Sequence, residues 1–135
     1  MKILIVEDDL SSVLLLKRYL QDQGETVIAE DGVKAVAAFV EARDSHRPFD
    51  LICLDIMLPH LNGQEVLKRV RSLEEEVGIG GLAGCKVIML TALRDAGNVM
   101  QSFRSQCEAY LSKPISKERL FREIRSLGLP VKQDE

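Results

Sequence analysis

Five short apolar runs alternate along the chain with segments in which apolar residues recur every three or four positions. The runs cover residues 2–6, 26–30, 49–55, 85–92 and 108–114. Runs of this length are typical of strands buried on both faces of a sheet, whereas a spacing of three or four residues indicates a helix. No hairpin signal separates neighbouring strands. The alternation therefore predicts an α/β fold, a doubly wound parallel sheet with helices on both faces.

Five predicted helices occupy the intervening segments. Four of them cover residues 10–21, 64–76, 98–106 and 116–127, and one begins at Asp31 and Gly32. The apolar positions expected to face the sheet are Leu10, Val13, Leu14, Leu16 and Leu20 in the first helix, Val33, Val36, Ala37 and Val40 in the second, and Val66, Leu67, Val70 and Leu73 in the third. A chain of 135 residues fits one domain, for which we expect residues 1–128, followed by a short tail, 129–135, that frays.

Polar residues follow the carboxyl ends of four predicted strands. They are Glu7, Asp8 and Asp9 after the first, Asp55 at the end of the third, Thr91 near the end of the fourth, where the apolar Ala92 follows it, and Lys113 at the end of the fifth. In doubly wound sheets ligands bind beyond the carboxyl ends of the strands, so these groups are expected to share one crevice. This explains why an apolar strand ends on Asp55, because a buried carboxylate needs a charged or hydrogen-bonding partner.

The predicted crevice has the chemistry of a phosphoryl-transfer site. Three carboxylates repel one another, and each pKa would rise unless a cation lies between them. Oxygen ligands suit a hard ion, so we expect Mg²⁺ or Mn²⁺. Lys113 would add a compact positive charge and Thr91 a hydroxyl donor. Such a set around one aspartate is typical of phosphoryl transfer, with Asp55 as the nucleophile.

Each of these residues also has a structural explanation when it is taken alone. Acidic residues at positions 8 and 9 suit the N-terminus of a helix, and Asp55 could cap the following loop. Thr91 is an ordinary strand residue, and Lys113 an ordinary solvated one. None of these explanations predicts that all of the groups fall at carboxyl ends of strands. The joint arrangement therefore favours a functional site.

The charge and composition narrow the function further. The net charge of −3 and the lack of a basic stripe argue against direct binding to nucleic acid or to a membrane surface. No apolar run approaches the roughly 20 residues of a membrane span, and residues 1–9 lack the pattern of a signal peptide. Cys53, Cys85 and Cys107 lack metal-site spacing, so we interpret them as buried thiols of a cytoplasmic protein.

Four segments resemble the signature segments of the receiver domain of two-component response regulators. They are ILIVEDD, DLICLDIMLPHLNG, VIMLTA and AYLSKP. The resemblance covers residues 1–127 and implies a flavodoxin-like, five-stranded parallel sheet of strand order 2-1-3-4-5 with five helices. It implies that Asp55 is the phosphoacceptor. Glu7, Asp8, Asp55 and the backbone carbonyl of Met57 would hold the metal.

The resemblance also assigns roles around the acceptor. They are Thr91, Ala92 and Lys113 as contacts of the phosphoryl group, Thr91 and Tyr110 as the switch, Lys113 and Pro114 as a cis peptide, and Met57 and Leu93 as modulators of the hydrolysis rate. The last two positions lie two residues after the acceptor and two after the threonine, and here both side chains are apolar. They could shield the phosphoryl group from water, which implies slow hydrolysis.

The function implied is a phosphorylation-dependent signalling switch. A sensor histidine kinase or phosphotransfer protein would donate the phosphoryl group to Asp55 with Mg²⁺, and a change of shape would signal to a partner protein. We expect no output domain, no enzyme activity beyond phosphotransfer to itself and slow autodephosphorylation, and a monomer or weak dimer.

Three alternatives use the same fold or chemistry. A Mg²⁺-dependent hydrolase with an aspartyl nucleophile usually needs a second acid two residues later, where this chain has Met57. A flavodoxin-like nucleotide carrier needs Ser, Thr or Gly after the first strand, where acidic residues would repel its phosphate. A phosphorylation-independent scaffold would be expected to have lost part of the site. The glycine-rich segment 76–85 only superficially resembles a dinucleotide fingerprint, because it follows a helix and precedes a strand, and we predict a flexible surface loop there.

Overall fold

A five-stranded parallel sheet forms the centre of the fold. The computed structural model describes residues 1–79, 84–92 and 107–132. Strands β1 to β5 are Lys2–Val6, Glu25–Ala29, Leu51–Asp55, Lys86–Ala92 and Ala109–Lys113. Every pairing is parallel, and the strand order is β2-β1-β3-β4-β5. The predicted α/β fold and strand order are therefore confirmed.

Four helices connect or follow the strands within the described part of the chain. Helices α1 to α4 are Leu10–Leu20, Gly32–Asp44, Gly63–Glu76 and Lys117–Ser126. The predicted helix over residues 98–106 lies outside the described residues. No helix in the described ranges is long and apolar enough to cross a membrane.

The apolar runs of the sequence fill the core on both faces of the sheet. In β1, Leu4 and Val6 belong to the cluster beneath α2 and α3, whereas Ile3 and Ile5 belong to the cluster beneath α1 and α4. All four side chains are fully buried. Successive side chains point to opposite faces of a strand, so a strand covered on both sides must be apolar throughout.

The buried faces of the first two helices differ from the predicted ones. Helix α1 buries Val13, Leu16 and Leu20, while Leu10 is 70% exposed and Leu14 is 57% exposed. Helix α2 buries Ala35, Phe39 and Ala42, while Val33 and Ala37 are exposed. Val36 and Val40 are half-buried. The prediction was right for Val13, Leu16 and Leu20. It was wrong for Leu10, Leu14, Val33 and Ala37, because both helices carry more apolar residues than one stripe can bury, and periodicity does not select the stripe. For α3 it was right, because Val66, Leu67 and Val70 are buried and Leu73 is half-buried.

The segment after α4 is packed against the fold rather than frayed. Leu129 and Val131 pack against the α1 side of the core. The buried side-chain amide of Gln23 accepts a hydrogen bond of 2.7 Å from the Lys132 N–H and donates one of 3.2 Å to the Lys132 carbonyl. The expected fraying is thus wrong for residues 130–132, and residues 133–135 lie outside the described residues.

The three cysteines are free thiols, as their spacing indicated. Burial raises the pKa of Cys53 to about 12. Burial also raises the pKa of Cys85 to about 12, with Glu74 contributing in the same direction. Thiols with such values stay protonated and unreactive at neutral pH.

Candidate functional site

An acidic cluster formed by Glu7, Asp8 and Asp55 lies at the carboxyl ends of β1 and β3. Val6 pairs with Leu54 across these strands, so Glu7 and Asp55, each one residue further on, are neighbours. One carboxylate oxygen from each of the three residues lies within 4.8 Å of the others. Glu7 is 1% exposed and Asp55 is 5% exposed, whereas Asp8 is exposed. The cluster therefore has two buried acids at its base and one acid facing solvent.

Lys113 reaches this cluster from the end of β5. Its Nζ lies 2.8 Å from Glu7 Oε2 and 3.0 Å from Asp55 Oδ2. Burial raises the pKa of Glu7 to about 7, with the Asp55 hydrogen bond acting in the same direction and Lys113 opposing it. Burial lowers the pKa of Lys113, but its hydrogen bonds to Glu7 and Asp55 outweigh this effect and raise the pKa overall. One ammonium thus contacts two of the three carboxyl groups of the cluster.

The cluster has the donor set of a hard divalent cation. It offers three carboxylates and no sulfur or imidazole, and one of the acids is open to solvent, so water ligands have access. Mg²⁺ is held in this way, through a few carboxylates and several waters. The residues present therefore fit Mg²⁺ or the similar Mn²⁺. The Met57 carbonyl, the fourth expected ligand, stays a prediction.

Asp9 serves the fold rather than the acidic cluster. Its carboxylate caps α1, accepting hydrogen bonds from the Ser12 N–H at 3.1 Å and from the hydroxyls of Ser11 and Ser12 at 2.8 Å. These bonds lower the pKa of Asp9. The Asp9 N–H donates to Glu7 Oε1 at 3.1 Å, so the start of α1 also orients a buried acid of the cluster.

The backbone around Asp55 is fixed by the loop that follows it. The Met57 N–H donates to Asp55 Oδ1 at 3.1 Å, which sets the rotation of the carboxylate. The Ile56 N–H donates to the Leu90 carbonyl at 3.1 Å, and the Gly63 N–H donates to the Ile56 carbonyl at 2.9 Å. A Cβ on Gly63 would overlap the Asp55 carbonyl oxygen. Glycine at this position therefore lets α3 begin directly against the Asp55 backbone.

We expect Gly63→Ala to lower the free energy of unfolding by about 1–3 kcal/mol, the usual cost of forcing an extra methyl group into a packed site. Backbone, not a flexible side chain, is the group it would displace. Chemical denaturation followed by circular dichroism measures the loss. Gln64→Ala, at the next position of α3, is the control and should change stability by less than about 0.5 kcal/mol. Equal effects of the two substitutions would contradict the close approach.

The other residues predicted for the site are Thr91, Tyr110, the peptide bond between Lys113 and Pro114, and Leu93. Thr91 is 1% exposed, and its hydroxyl donates to the Ala92 carbonyl at 3.1 Å rather than into the cluster. Tyr110 is half-buried and packs beside the α2 and α3 side of the core. The peptide bond between Lys113 and Pro114 is cis. Leu93 lies outside the described residues.

A second charged cluster, which the sequence did not reveal, lies at the opposite edge of the sheet. It consists of Arg71, Glu74 and Glu108 and is called the Arg71 cluster here. The Arg71 guanidinium contacts Glu74 at 2.8 Å and both oxygens of Glu108 at 3.0 Å. Its Nη1 also donates to the Cys85 carbonyl at 2.9 Å. In the sequence Arg71 and Glu74 look like an ordinary surface pair three residues apart on a helix. Their further partners are not visible there, because Cys85 and Glu108 lie 14 and 37 residues from Arg71.

Side chains of the Arg71 cluster accept hydrogen bonds from backbone N–H groups at the start of β4, where β5 is not yet paired with it. The Cys85 N–H donates to Glu74 Oε2 at 2.7 Å, and the Val87 N–H donates to Glu108 Oε2 at 2.6 Å. The register of the two strands begins only at Ile88 and Ala109. Side chains therefore replace the missing strand partner at this corner of the sheet, where unpaired backbone groups would be costly.

Only part of the glycine-rich segment 76–85 lies within the described residues. Gly78 adopts a φ of 76° just after α3, a conformation that favours glycine. Gly84 lies against the Glu74 and Arg71 side chains, with no space for a Cβ. Residues 80–83 lie outside the described residues, so the surface-loop prediction for them is not tested.

Comparison with known proteins identifies the family of this chain. Residues 3–125 match the family described as "Response regulator receiver domain". The polar-differentiation response regulator DivK of Brucella anthropi is 34% identical over 125 residues, which are 92% of this chain and 93% of DivK. The chain spans about half the length of other curated relatives it matches, mycobacterial DNA-binding response regulators at 32% identity over 93% of this chain.

Two solved structures of receiver domains are similar to this chain over most of its length. The receiver domain of Saccharomyces cerevisiae Ssk1, crystallised with the histidine phosphotransfer protein Ypd1, has a TM-score of 0.80 and 28% identity, covering 95% of this chain and 88% of that one. The receiver domain of Pseudomonas aeruginosa PA1611, with magnesium coordinated in its active-site cleft, has a TM-score of 0.70 and 26% identity, covering 94% and 97%. From the family match over residues 3–125, this chain belongs to the response regulator receiver domain family of two-component signalling.

Proposed function

We propose that this protein is a phosphorylation switch in which Asp55 accepts a phosphoryl group in the presence of Mg²⁺. The observation that carries the proposal is the convergence of the Glu7 and Asp8 carboxylates and the Lys113 ammonium on Asp55, at the end of a strand. A structural ion pair does not need Asp8. A Mg²⁺ site would use this exposed carboxylate, because the cation keeps several of its water ligands.

The proposed reaction is transfer from a phosphohistidine. A lone pair on an Asp55 oxygen forms the new bond to phosphorus, the phosphorus–nitrogen bond of the donor breaks, and its electron pair remains on the imidazole nitrogen. Mg²⁺, held by Glu7, Asp8 and Asp55, would supply positive charge to the transferred phosphoryl oxygens. The Met57 N–H, bonded to Asp55 Oδ1, would orient the nucleophile, and Lys113 would neutralise charge as the phosphoryl group arrives.

The proposed donor is a histidine kinase or phosphotransfer protein that docks over the mouth of this site. Leu10 and Leu14 on α1 and Met57 after β3 are 70%, 57% and 67% exposed. Apolar side chains at the rim of a polar site are typical of a protein interface. The complex of Ssk1 with a histidine phosphotransfer protein supports the same class of partner for this chain. The downstream partner in the proposal is a second protein, and the proposed location is the cytoplasm.

The proposed switch uses Thr91 and Tyr110. A phosphoryl group on Asp55 would offer the Thr91 hydroxyl a charged acceptor, a stronger partner than its present Ala92 carbonyl. Movement of Thr91 would leave space that Tyr110 could fill. Because a ligand shifts only an equilibrium that it binds unequally, the active form should already exist as a minor population.

The direct test is phosphorylation by a small donor. We expect incubation with acetyl phosphate and Mg²⁺ to add one phosphoryl group by intact mass, and EDTA to prevent the addition. Asp55→Ala should remove the gain completely, while Asp44→Ala, an exposed acid at the end of α2, should leave it unchanged. A gain that persists in Asp55→Ala, or in EDTA, would overturn the proposal. Absence of any gain in the wild type would favour a phosphorylation-independent scaffold.

A further inference from the structure

A tyrosine outside the acidic cluster connects α1 to the segment that carries Lys113. The Tyr19 hydroxyl donates to the Ile115 carbonyl at 3.2 Å, across 96 residues of sequence. The Tyr19 ring is half-buried and packs against the α1 side of the core, which includes Ile115, Leu120 and Phe121. A phenylalanine ring at position 19 would pack on this core equally well. The hydroxyl therefore needs a separate explanation.

The position of the segment after Lys113 affects where the Lys113 ammonium lies relative to the acidic cluster. Strand β5 is at the edge of the sheet and pairs on one side only, with β4. The loop from Pro114 to Ser116 is three residues long, and Pro114 has no N–H with which to anchor itself. The Lys113 ammonium must nonetheless stay within hydrogen-bonding distance of both Glu7 and Asp55.

Two cavities flank the Tyr19 contact. One, of about 410 Å³, opens on Glu7 and Lys113 and is lined by Ile115 and by the Leu15 face of α1. The other, of about 450 Å³, is lined by Tyr19, Leu15 and Lys117. The contact between α1 and the β5–α4 loop is therefore bordered by solvent-open grooves on both sides. A directional bond has more effect on position in such a place than in a fully packed core.

We propose that Tyr19 is a positioning residue for phosphoryl transfer. Its hydroxyl fixes the Ile115 carbonyl relative to α1, and through Pro114, the one residue between Ile115 and Lys113, it fixes the Lys113 ammonium over Glu7 and Asp55. This inference rests on the proposed function, since it concerns the efficiency of the same site. Tyr19 itself touches no reacting atom and acts only through Lys113.

The test is the rate of phosphorylation by acetyl phosphate in Tyr19→Phe, which removes one oxygen and keeps the ring. We expect a loss of about tenfold, because small displacements of a charged group at a reacting centre have large effects on rate. Mg²⁺ affinity should not change, because Glu7, Asp8 and Asp55 are untouched. Ser126→Ala is the matched control, since it removes another hydroxyl-to-carbonyl bond, of 2.8 Å to Glu123, on α4.

A double substitution separates positioning from general weakening of the fold. If Tyr19 acts through Lys113, adding Tyr19→Phe to Lys113→Met should cause no further loss of rate. Multiplied losses in the double variant, or a loss of Mg²⁺ affinity in Tyr19→Phe, would overturn the inference. So would a wild-type rate in Tyr19→Phe, while the proposed function would still stand. The proposed function fails separately, if wild-type Asp55 gains no phosphoryl group.

A second measurement covers the case in which Tyr19→Phe lowers stability. Amide NMR spectra recorded well below the unfolding temperature should then show shifts for residues 113–117. Unchanged amide positions in that segment would contradict the positioning role whatever the stability of the variant.

Discussion

Arg71→Met should lower the free energy of unfolding by about 3–5 kcal/mol, the range found when one partner is removed from a buried ion pair. Side-chain exposure is 16% for Arg71, 9% for Glu74 and 21% for Glu108. Methionine preserves most of the aliphatic length of arginine. The substitution would therefore leave two acids largely out of water without their cation, and it would also remove the donor to the Cys85 carbonyl.

The size of this loss in the free energy of unfolding depends on which other groups each acid binds besides Arg71. Glu74 and Glu108 accept the N–H groups of Cys85 and Val87, so neither can turn outward to solvent without leaving a backbone donor unpaired. An exposed pair would simply be rehydrated, at a cost of less than about 1 kcal/mol. The two backbone bonds are the reason for expecting the larger value.

Chemical denaturation of Arg71→Met beside Arg69→Met tests this account. Arg69 is exposed on the same helix, and its loss should change stability by no more than about 0.5 kcal/mol. Adding Glu74→Gln and Glu108→Gln to Arg71→Met should recover part of the loss, because glutamine keeps an acceptor for each N–H and removes the uncompensated charge. Similar losses for the two arginines, or a further loss in the triple variant, would contradict it.

Local features of the sequence were sufficient for the sheet and for the candidate site. A strand buried on both faces must be apolar throughout, so β1, β3 and β4 are visible as continuous runs. The positions of Glu7, Asp55 and Lys113 follow from the rule that parallel strands share one carboxyl edge. Once the strands were assigned, the proximity of these side chains required no further information.

The features that were not predicted all depend on contacts between distant segments. Leu10 and Leu14 have the same apolar character as Leu16, and only packing decides which of them faces the sheet. Tyr19 has no signal in the sequence because a ring on that face is ordinary, and its hydroxyl gains meaning only from the Ile115 carbonyl. The Arg71 cluster depends on the difference in starting position between β4 and β5, which the sequence patterns do not fix.

We expect the largest change in any rate for the hydrolysis of phospho-Asp55, which sets the lifetime of the phosphorylated state. Hydrolysis of phospho-Asp55 needs a water in line with the phosphorus and opposite the leaving carboxylate, and positioning is most of what a protein contributes to such a step. From the resemblance to receiver domains, we expect positions 57 and 93 to lie nearest this line. Both residues are apolar here, and the Met57 side chain is 67% exposed. Neither can orient a water, so we expect a half-life of many minutes rather than seconds.

Met57→Asn combined with Leu93→Glu should accelerate release of phosphate by tenfold or more at saturating Mg²⁺, with each tenfold corresponding to roughly 1.4 kcal/mol of barrier. Polar side chains at both positions could hold the attacking water, which the apolar pair cannot do. The decay is measured by intact mass after removal of the phosphodonor. Met57→Leu is the control and should leave the lifetime unchanged, because it replaces one apolar side chain with another. Rapid decay of the wild type, or an unaltered rate in the double variant, would mean that the cation and Lys113 set the lifetime instead.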